Sequence, residues 1–292
     1  CALVLSAHPV TNRRRILLQN PKPQYEHNYL FIDGHAVAFH SWFTSYPNSV
    51  IPGFMAMINK VIDEHRPSGL VVAFDPPPPT FRHELYPRYK ANRPEPPDEF
   101  LDECYDLEQQ LRSSGVLVCK LDGFEADDVL GTLSREASSR GIRSLIYTCD
   151  LDLLQVIDEN TFVEVFSQYW PTRMFNTESA TARFGLRPVN IPDLKGLMGD
   201  RSDNLPGVPG IGEKSAVGLL SEAGGIETLY QDLDLVLGLP IRGIKRIHRL
   251  LSDHKDEAFL MKRLATIVRD APIDIDFPLG DFKAADFSLA AV

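Results

Sequence analysis

Residues 143–152 read Arg-Ser-Leu-Ile-Tyr-Thr-Cys-Asp-Leu-Asp, a short apolar run that ends in two carboxylates. The apolar part predicts a buried strand. The same arrangement occurs at residues 29–33, Tyr-Leu-Phe-Ile-Asp, and at residues 69–75, Gly-Leu-Val-Val-Ala-Phe-Asp. Because the carboxyl ends of parallel strands line the crevice in which such sheets bind ligands, we expect these strand-end acids to converge.

Outward from these runs, apolar strand patterns alternate with helical patterns through the first two thirds of the chain. We predict strands at residues 29–32, 69–74, 116–119, 143–148 and 161–166, and helices at residues 52–65, 98–114 and 125–140. This alternation indicates an α/β domain with a mostly parallel sheet flanked by helices. From about Ile191 onward helical patterns dominate, which predicts a smaller helical region over one edge of that domain.

The bulk composition is that of a globular protein. The chain has 292 residues, of which 43% are hydrophobic and 24% charged, enough for one large domain or two modest ones. No apolar run approaches the roughly 20 residues that span a bilayer, so we predict a water-soluble chain that contacts no membrane. The cysteines form no C-x-x-C pair and are predicted to be reduced and buried; they are Cys1, Cys104, Cys119 and Cys149.

The charge distribution is uneven. A net charge of −10 argues at first against nucleic acid as a ligand, but carboxylates that hold metal ions are neutralised locally. The first 25 residues contain no acid and four cations, Arg13, Arg14, Arg15 and Lys22. Residues 1–27 therefore read either as a targeting remnant or as a disordered arm. The compartment stays open between the bacterial cytoplasm and an organelle, plastid or mitochondrion; secretion is not expected.

Residues 75–98 fit neither strand nor helix. Four consecutive prolines at 76–79 are followed by cations interleaved with aromatic rings: Phe81, Arg82, His83, Tyr86, Arg88, Tyr89, Lys90 and Arg93. Proline interrupts both sheets and helices, so we predict a long excursion from the sheet. The mixture of cations and rings is typical of a surface that grips single-stranded nucleic acid. The alternative is a solvated proline-rich loop.

The carboxylates form the main candidate site. Besides the strand-end acids, three acids open a predicted helix and two lie at the entrance to the helical region; the full set is Asp33, Asp75, Glu125, Asp127, Asp128, Asp150, Asp152, Asp200 and Asp203. Singly, each is explained by a turn or by a helix N-terminus, which favours anions. Jointly they would repel one another without cations. Such oxygen-rich sites suit two Mg²⁺ or Mn²⁺ ions roughly 3.5 to 4 Å apart, which promote phosphodiester hydrolysis.

Two further features bear on this interpretation. The histidines are scattered, and His35, His40 and His83 are read as structural or surface groups. Residues 207–216, Gly-Val-Pro-Gly-Ile-Gly-Glu-Lys-Ser-Ala, predict a turn between helices whose amides cradle a phosphate, with Lys214 adding a charge. This helix-hairpin-helix signature contacts the DNA backbone without reading bases; a plain helical corner is the alternative.

Together these motifs resemble the 5′ nuclease domain of bacterial DNA polymerase I and its phage and flap endonuclease relatives, over residues 29–270. The motifs are Phe-Ile-Asp-Gly (31–34), Val-Ala-Phe-Asp (72–75), Phe-Arg-His-Glu (81–84), Tyr-Lys-Ala-Asn-Arg (89–93), Gly-Phe-Glu-Ala-Asp-Asp (123–128), Asp-Leu-Asp (150–152) and the run from 197 to 214. The resemblance implies a PIN-like catalytic domain at 28–190, with a helical arch at about 76–98. It also implies a helix-hairpin-helix (helix-three-turn-helix) region at 191–275 and a tail at 276–292.

The resemblance also implies a role for each residue of the site. Asp33, Asp75, Glu125 and Asp127 would hold the first metal, and Asp150, Asp152 and Asp203 the second, with Asp127 between them. Asp128 and Asp200 would act through waters or would support the ligands without touching a metal. Lys90 and Arg93 would steer the scissile phosphate, Tyr89 would stack nearby, and Arg82 would support the arch. The hairpin residues that would contact DNA are Gly207, Val208, Gly210, Ile211, Gly212, Lys214 and Ser215, with the carbonyls of Val208 and Ile211 holding a potassium ion.

The implied function is structure-specific hydrolysis of DNA at a 5′ end, flap, nick or junction by a monomer, in replication or repair. Two alternatives stay open: a catalytically weak protein that binds branched DNA, and removal of RNA from RNA/DNA hybrids. The chain departs from the family at Leu151, where relatives often carry a cation between the paired aspartates. Residues 42–52 are also shorter than in polymerase I, which affects the 3′-flap pocket.

Overall fold

The computed structural model describes residues 28–273. The predicted arm at 1–27 and tail at 276–292 lie outside these residues. The strands are β1 Asn28–Asp33, β2 Gly69–Ala73, β3 Leu117–Cys119, β4 Arg143–Thr148, β5 Thr161–Val165 and β6 Arg173–Phe175. The helices are α1 Gly34–Thr44, α2 Ile51–His65, α3 Phe81–Leu85, α4 Asp98–Ser113, α5 Ala126–Ser139, α6 Thr177–Phe184, α7 Ile191–Met198, α8 Glu213–Ala223, α9 Ile226–Gln231, α10 Ile244–Asp253 and α11 Lys255–Ala265. Three 3₁₀ turns are Leu151–Val156, Pro188–Asn190 and Leu233–Gly238.

The six strands form one sheet in the order β3-β2-β1-β4-β5-β6. Strands β1 to β5 are parallel and β6 runs antiparallel to β5, so the predicted mostly parallel sheet is confirmed. The chain builds outward from β1 through β2 to β3, and then continues on the other side with β4. Ligands bind at such a switch in strand order, beyond the carboxyl ends of the strands.

The sheet is buried on both faces. Along β1, Leu30 and Ile32 point to one core and Tyr29 and Phe31 to the other, because alternate residues of a strand face opposite sides. Helices α1, α2 and α4 cover the first face, and α5 covers the second. Burial of each such side chain contributes about 1.5–3 kcal/mol, which holds the strand ends in place.

The helical region has its own core. Leu197 of α7, Leu219 of α8 and Leu251 of α10 are fully buried there. Helix α11 packs along α7 and returns the chain to the sheet domain, where Ile267 joins the core beneath α5. Within residues 28–273, no helix combines the length and apolarity needed to cross a bilayer.

The local structure differs from the sequence analysis at three points. Helix α1 was not predicted: Asp33 is its N-cap and accepts a hydrogen bond from the amide of Ala36 at 3.0 Å, so Asp33 and Gly34 do not form the ordinary turn that was the alternative. The antiparallel edge strand β6 was not predicted, because three residues are too few to show a pattern. Of the cysteines that the structure describes, Cys104 is buried, but Cys119 is partly buried and Cys149 is exposed.

Candidate metal centre

Three acids converge beyond the adjacent strands β2, β1 and β4, as the sequence predicts. The hydroxyl of Thr148 donates to Asp33 at 2.7 Å, and the amide of Ala126 donates to Asp75 at 2.7 Å. The pKa of Asp33 is raised to about 7, first by burial and then by the neighbouring charges of Asp75 and Asp150. This mutual influence shows that the three carboxylates share one crevice.

The acids that open α5 divide into two kinds. Asp128 is fully buried and accepts two hydrogen bonds from the Arg82 guanidinium, at 2.6 and 2.8 Å, and others from the amides of Glu125 and Val268. Asp128 therefore has the supporting role that the resemblance implies rather than that of a direct metal ligand, because its oxygens are already occupied by these donors. Arg82 also donates to the carbonyl of Leu264, so this ion pair ties α3, α5 and the end of α11 together.

Glu125 and Asp127 face the crevice instead. Glu125 accepts hydrogen bonds from the Tyr89 hydroxyl at 3.0 Å and from the Lys90 ammonium at 2.9 Å. Burial, together with the charges of Asp150 and Asp33, raises the pKa of Asp127 well above its usual range. These two acids thus belong with the strand-end carboxylates.

A second group of acids lies at the entrance to the helical region. One carboxylate oxygen each from Asp152, Asp200 and Asp203 lies within 4.8 Å of the others, a spacing that a single metal ion fits. The structure therefore gives Asp200 a more direct position than the supporting one that the resemblance implies. Asp150 is close to members of both groups, since its charge raises the pKa of Asp127 and of Asp152.

Sequence reasoning missed one residue of this second group. The ammonium of Lys195, on α7, makes hydrogen bonds to both Asp152 and Asp200. Its positive charge comes from α7 and lies beside the acids of the second group, where Leu151 contributes no charge. The available signal was its position five residues before Asp200 on a predicted helix, which is too weak to separate it from a surface lysine.

The donor set fits divalent cations. Every oxygen in the two groups belongs to a carboxylate, which is the ligand that hard cations such as Mg²⁺ and Mn²⁺ prefer. Burial raises the pKa of Asp152 to about 7, with Lys195 opposing and Asp150 adding to the increase. Burial opposes the shift at Asp75, yet His35 and Lys90 hold its pKa below the usual value. Buried acids in such number are stable as anions when cations bind among them.

The excursion at residues 75–98 lies against this centre. Lys90 contacts Glu125, while the Arg93 guanidinium contacts Asp203 at 2.6 Å, so the two cations span both acid groups. Lys90 has a left-handed backbone, φ +54°, and its amide donates to the carbonyl of Asp203 at 3.0 Å. Such conformations cost free energy and cluster at functional sites. Within the excursion at residues 75–98, the only α-helical turn is α3, so the implied arch is helical in that part alone.

The stacking role predicted for Tyr89 is wrong for this structure. Its ring is 3% exposed and packs with Leu205 and Met261 in a small core beneath the excursion. Its hydroxyl donates to Glu125, and because the ring is buried its face is closed to a base.

The histidines His35 and His83 are structural, as predicted. His35 accepts a hydrogen bond from the amide of Asp75 at 2.9 Å, and His83 accepts one from the amide of Thr80 at 3.1 Å.

The glycine hairpin between α7 and α8 is anchored by its apolar residues. Val208 and Ile211 are 1% and 4% exposed and pack in the helical core. Gly207 has φ +62°, and a Cβ there would lie 2.2 Å from the amide nitrogen of Gly199. The remaining predicted contact residues, Gly210, Gly212, Lys214 and Ser215, are exposed or partly exposed. The hairpin therefore presents its backbone and Lys214 to solvent.

Two family models match the chain. The first, 5′-3′ exonuclease, N-terminal resolvase-like domain, covers residues 28–185, and the second, 5′-3′ exonuclease, C-terminal SAM fold, covers residues 186–288. The two matched ranges meet between residues 185 and 186.

Curated relatives are DNA polymerases I. That of Bacillus caldotenax is 35% identical over 84% of this chain and 28% of its own length. The enzymes of Pseudomonas aeruginosa and Streptococcus pneumoniae strain R6 are 37% and 38% identical, over 85% and 84% of this chain and 27% and 29% of their own lengths. The chain thus spans less than a third of the length of these relatives.

Solved structures share the fold. A structure of T5 5′-exonuclease with bound divalent zinc ions aligns over 82% of this chain and 90% of its own, with a TM-score of 0.70 and 20% identity. The catalytic core of Rad2 in complex with DNA substrate aligns over 87% of this chain and 83% of its own, with a TM-score of 0.55 and 16% identity. Both likenesses show the architecture of sheet domain and helical region.

Proposed function

Because this chain belongs to the 5′-3′ exonuclease family, we propose that it is a metal-dependent, structure-specific 5′ nuclease that hydrolyses DNA at 5′ ends and 5′ flaps. The observation that carries the proposal is the convergence of two carboxylate groups beneath a basic excursion. Lys90 pairs with an acid of the first group and Arg93 with an acid of the second. The basic residues proposed to bind the substrate and the acids proposed to bind metal therefore form one centre.

The cations we propose are two Mg²⁺ or Mn²⁺ ions. Asp33, Asp75, Glu125 and Asp127 would hold one, and Asp152, Asp200 and Asp203 the other, with Asp150 serving both groups. When bound, such ions activate water and stabilise the charge that develops on a phosphodiester. We further propose that the carbonyls of Val208 and Ile211 hold a potassium ion against the duplex.

The chain's own residues supply positioning and charge. Lys90 and Arg93 bind Glu125 and Asp203, and we propose that their cationic groups steer the scissile phosphate toward the acids. The strained backbone of Lys90 fixes its side chain before the substrate arrives, which favours a defined orientation of the scissile bond. The hairpin at 207–212 contacts duplex backbone, so a cut is placed at a fixed distance from the duplex.

Cleavage of a labelled 5′-flap duplex tests the proposal. Incubation with Mg²⁺ is expected to release short products from wild type, and Asp150→Asn is expected to abolish them. Asp106→Asn, an exposed acid on α4, is the matched control and should cleave like wild type. Flap binding in Ca²⁺ without cleavage in Mg²⁺ or Mn²⁺ would favour a branched-DNA-binding protein instead. A matched substrate with RNA on the 5′ strand distinguishes hybrid cleavage.

A further inference from the structure

One stretch of this acidic chain is positively charged. Residues 235–252 contain four Arg or Lys residues and no Asp or Glu, in a chain whose net charge is −10. Helix α10 lies within this stretch. Its residues Ile247 and Leu251 are buried in the helical core, while Lys245, Arg246 and Arg249 are exposed. The helix therefore turns a cationic face to solvent.

This face adjoins the glycine hairpin. A Cβ placed on Gly210 would lie 2.8 Å from Nη2 of Arg246, so the guanidinium rests against the hairpin backbone. Gly210 also has φ +87°, a conformation that favours glycine. The exposed cations of α10 thus continue the surface on which the hairpin presents its amides and Lys214.

The cations of this face are not neutralised by the protein. Among residues 28–273, no carboxylate pairs with Arg242, Lys245, Arg246 or Arg249, whereas His248 takes the nearby Asp234 at 2.9 Å. At the metal centre, by contrast, Arg82, Lys90, Arg93 and Lys195 each contact an acid. Unpaired cations that are clustered in an otherwise acidic protein create a local field for an anionic ligand.

Resting on the proposed function, we propose that the exposed face of α10, formed by Lys245, Arg246 and Arg249 together with Arg242 just before the helix, is a second binding surface for the phosphate backbone of the duplex. It extends the contact that begins at the glycine hairpin. Cations on flexible stems without aromatic partners suit phosphates rather than bases. The surface therefore adds affinity that is independent of sequence and sensitive to salt.

The test compares two double variants that lose the same charge. Arg246→Gln with Arg249→Gln removes cations from the face, and Lys60→Gln with Arg135→Gln removes exposed cations of α2 and α5 on the sheet domain. Equilibrium binding of a 5′-flap duplex is measured in Ca²⁺ at several salt concentrations. The first variant is expected to bind roughly tenfold more weakly and to lower the slope of log K against log salt by about 2. The control should stay within about twofold of wild type.

Two further measurements distinguish a lost phosphate contact from a folding defect. Arg246→Lys with Arg249→Lys should restore the salt slope, which a mere folding defect would not allow. The cleavage rate at saturating flap substrate should match wild type, since the face lies outside the acid centre. An unchanged slope in the Gln variant would overturn the proposal. If wild type fails to cleave the flap, the proposed function is refuted but the proposal for α10 is not, because the binding of the duplex is measured in a separate assay.

Discussion

At the scale of single residues, two adjacent acids of α5 have opposite roles. Asp127 and Asp128 are equivalent in the sequence, since both follow a helix start and both suit its positive end. The partner that distinguishes them is Arg82, 46 residues away, which pairs with Asp128 inside the protein. Contacts of this kind depend on the packed fold. The sequence could therefore predict the acid pocket, but not which of its members is structural.

The buried pair of Arg82 and Asp128 should be important for stability. Their side chains are 3% and 0% exposed, so Arg82→Leu leaves a buried carboxylate without its partner. We expect the free energy of unfolding to fall by about 3–5 kcal/mol in urea denaturation. Arg88→Leu, which removes an exposed cation six residues further along the chain, is the control and should change the free energy of unfolding little. Equal losses for the two variants would show that the pair is not important.

The raised pKa values predict a pH-dependent stability. In the metal-free protein the pKa of Asp33 and of Asp152 is about 7, against an ordinary 3.8. Asp33 and Asp152 bind their protons more tightly in the folded than in the unfolded state. The stability that the two protonated carboxyls contribute is therefore fully present below about pH 4 and is lost as the pH rises through about 7. We expect the Tm in EDTA to fall across this window and the gain in Tm on adding Mg²⁺ to grow. A Tm gain independent of pH would contradict this linkage.

Lys195 should stabilise the metal-free state of the second acid group. Lys195→Met leaves Asp152 and Asp200 without the cation that they share, while Asp203 beside them keeps Arg93. We expect a loss on the order of 1–3 kcal/mol in EDTA, measured by urea denaturation, and a larger Mg²⁺-induced gain than in wild type. Lys195→Arg keeps the charge and should behave more like wild type. A methionine variant with wild-type stability in both conditions would exclude this role.

At the scale of elements, the sequence predicts most of the sheet and misses what surrounds it. The strand at 143–148 matches β4, because an apolar run bounded by polar residues has one dominant reading. The glycine hairpin was predicted from its spacing alone. Helix α1 was missed because Asp33 and Gly34 look like a turn, and only the structure shows that Asp33 caps the helix. Lys195 was missed because its partners lie on other elements.

Two hairpin glycines should respond differently to alanine. At Gly207 the left-handed backbone and the approach of Gly199 leave no room for a Cβ, whereas at Gly212 nothing lies within 4 Å. We expect Gly207→Ala to lower the free energy of unfolding by more than about 1–2 kcal/mol. Gly212→Ala should stay within about 0.5 kcal/mol of wild type. Urea denaturation of both variants decides this, and similar losses would mean that the hairpin is held differently.

At the scale of the whole molecule, acids and cations are arranged around one path for DNA. The net charge is −10, yet the acids that converge at the strand ends face Lys90 and Arg93, and a cluster of exposed cations lies on the hairpin and at α10. Composition alone gave the sign of the charge and therefore pointed away from nucleic acid. The placement of those charges, which depends on sheet topology, reverses that reading.

The single-turnover rate of 5′-flap cleavage, measured against Mg²⁺ concentration, tests the two-metal centre most directly. Because the two acid groups are distinct, we expect the rate to rise more steeply than first order at low Mg²⁺. Asp152→Asn, which weakens only the second group, should lower the rate and require more Mg²⁺. Absence of cleavage at every Mg²⁺ concentration, or a first-order dependence that Asp152→Asn leaves unchanged, would contradict the account.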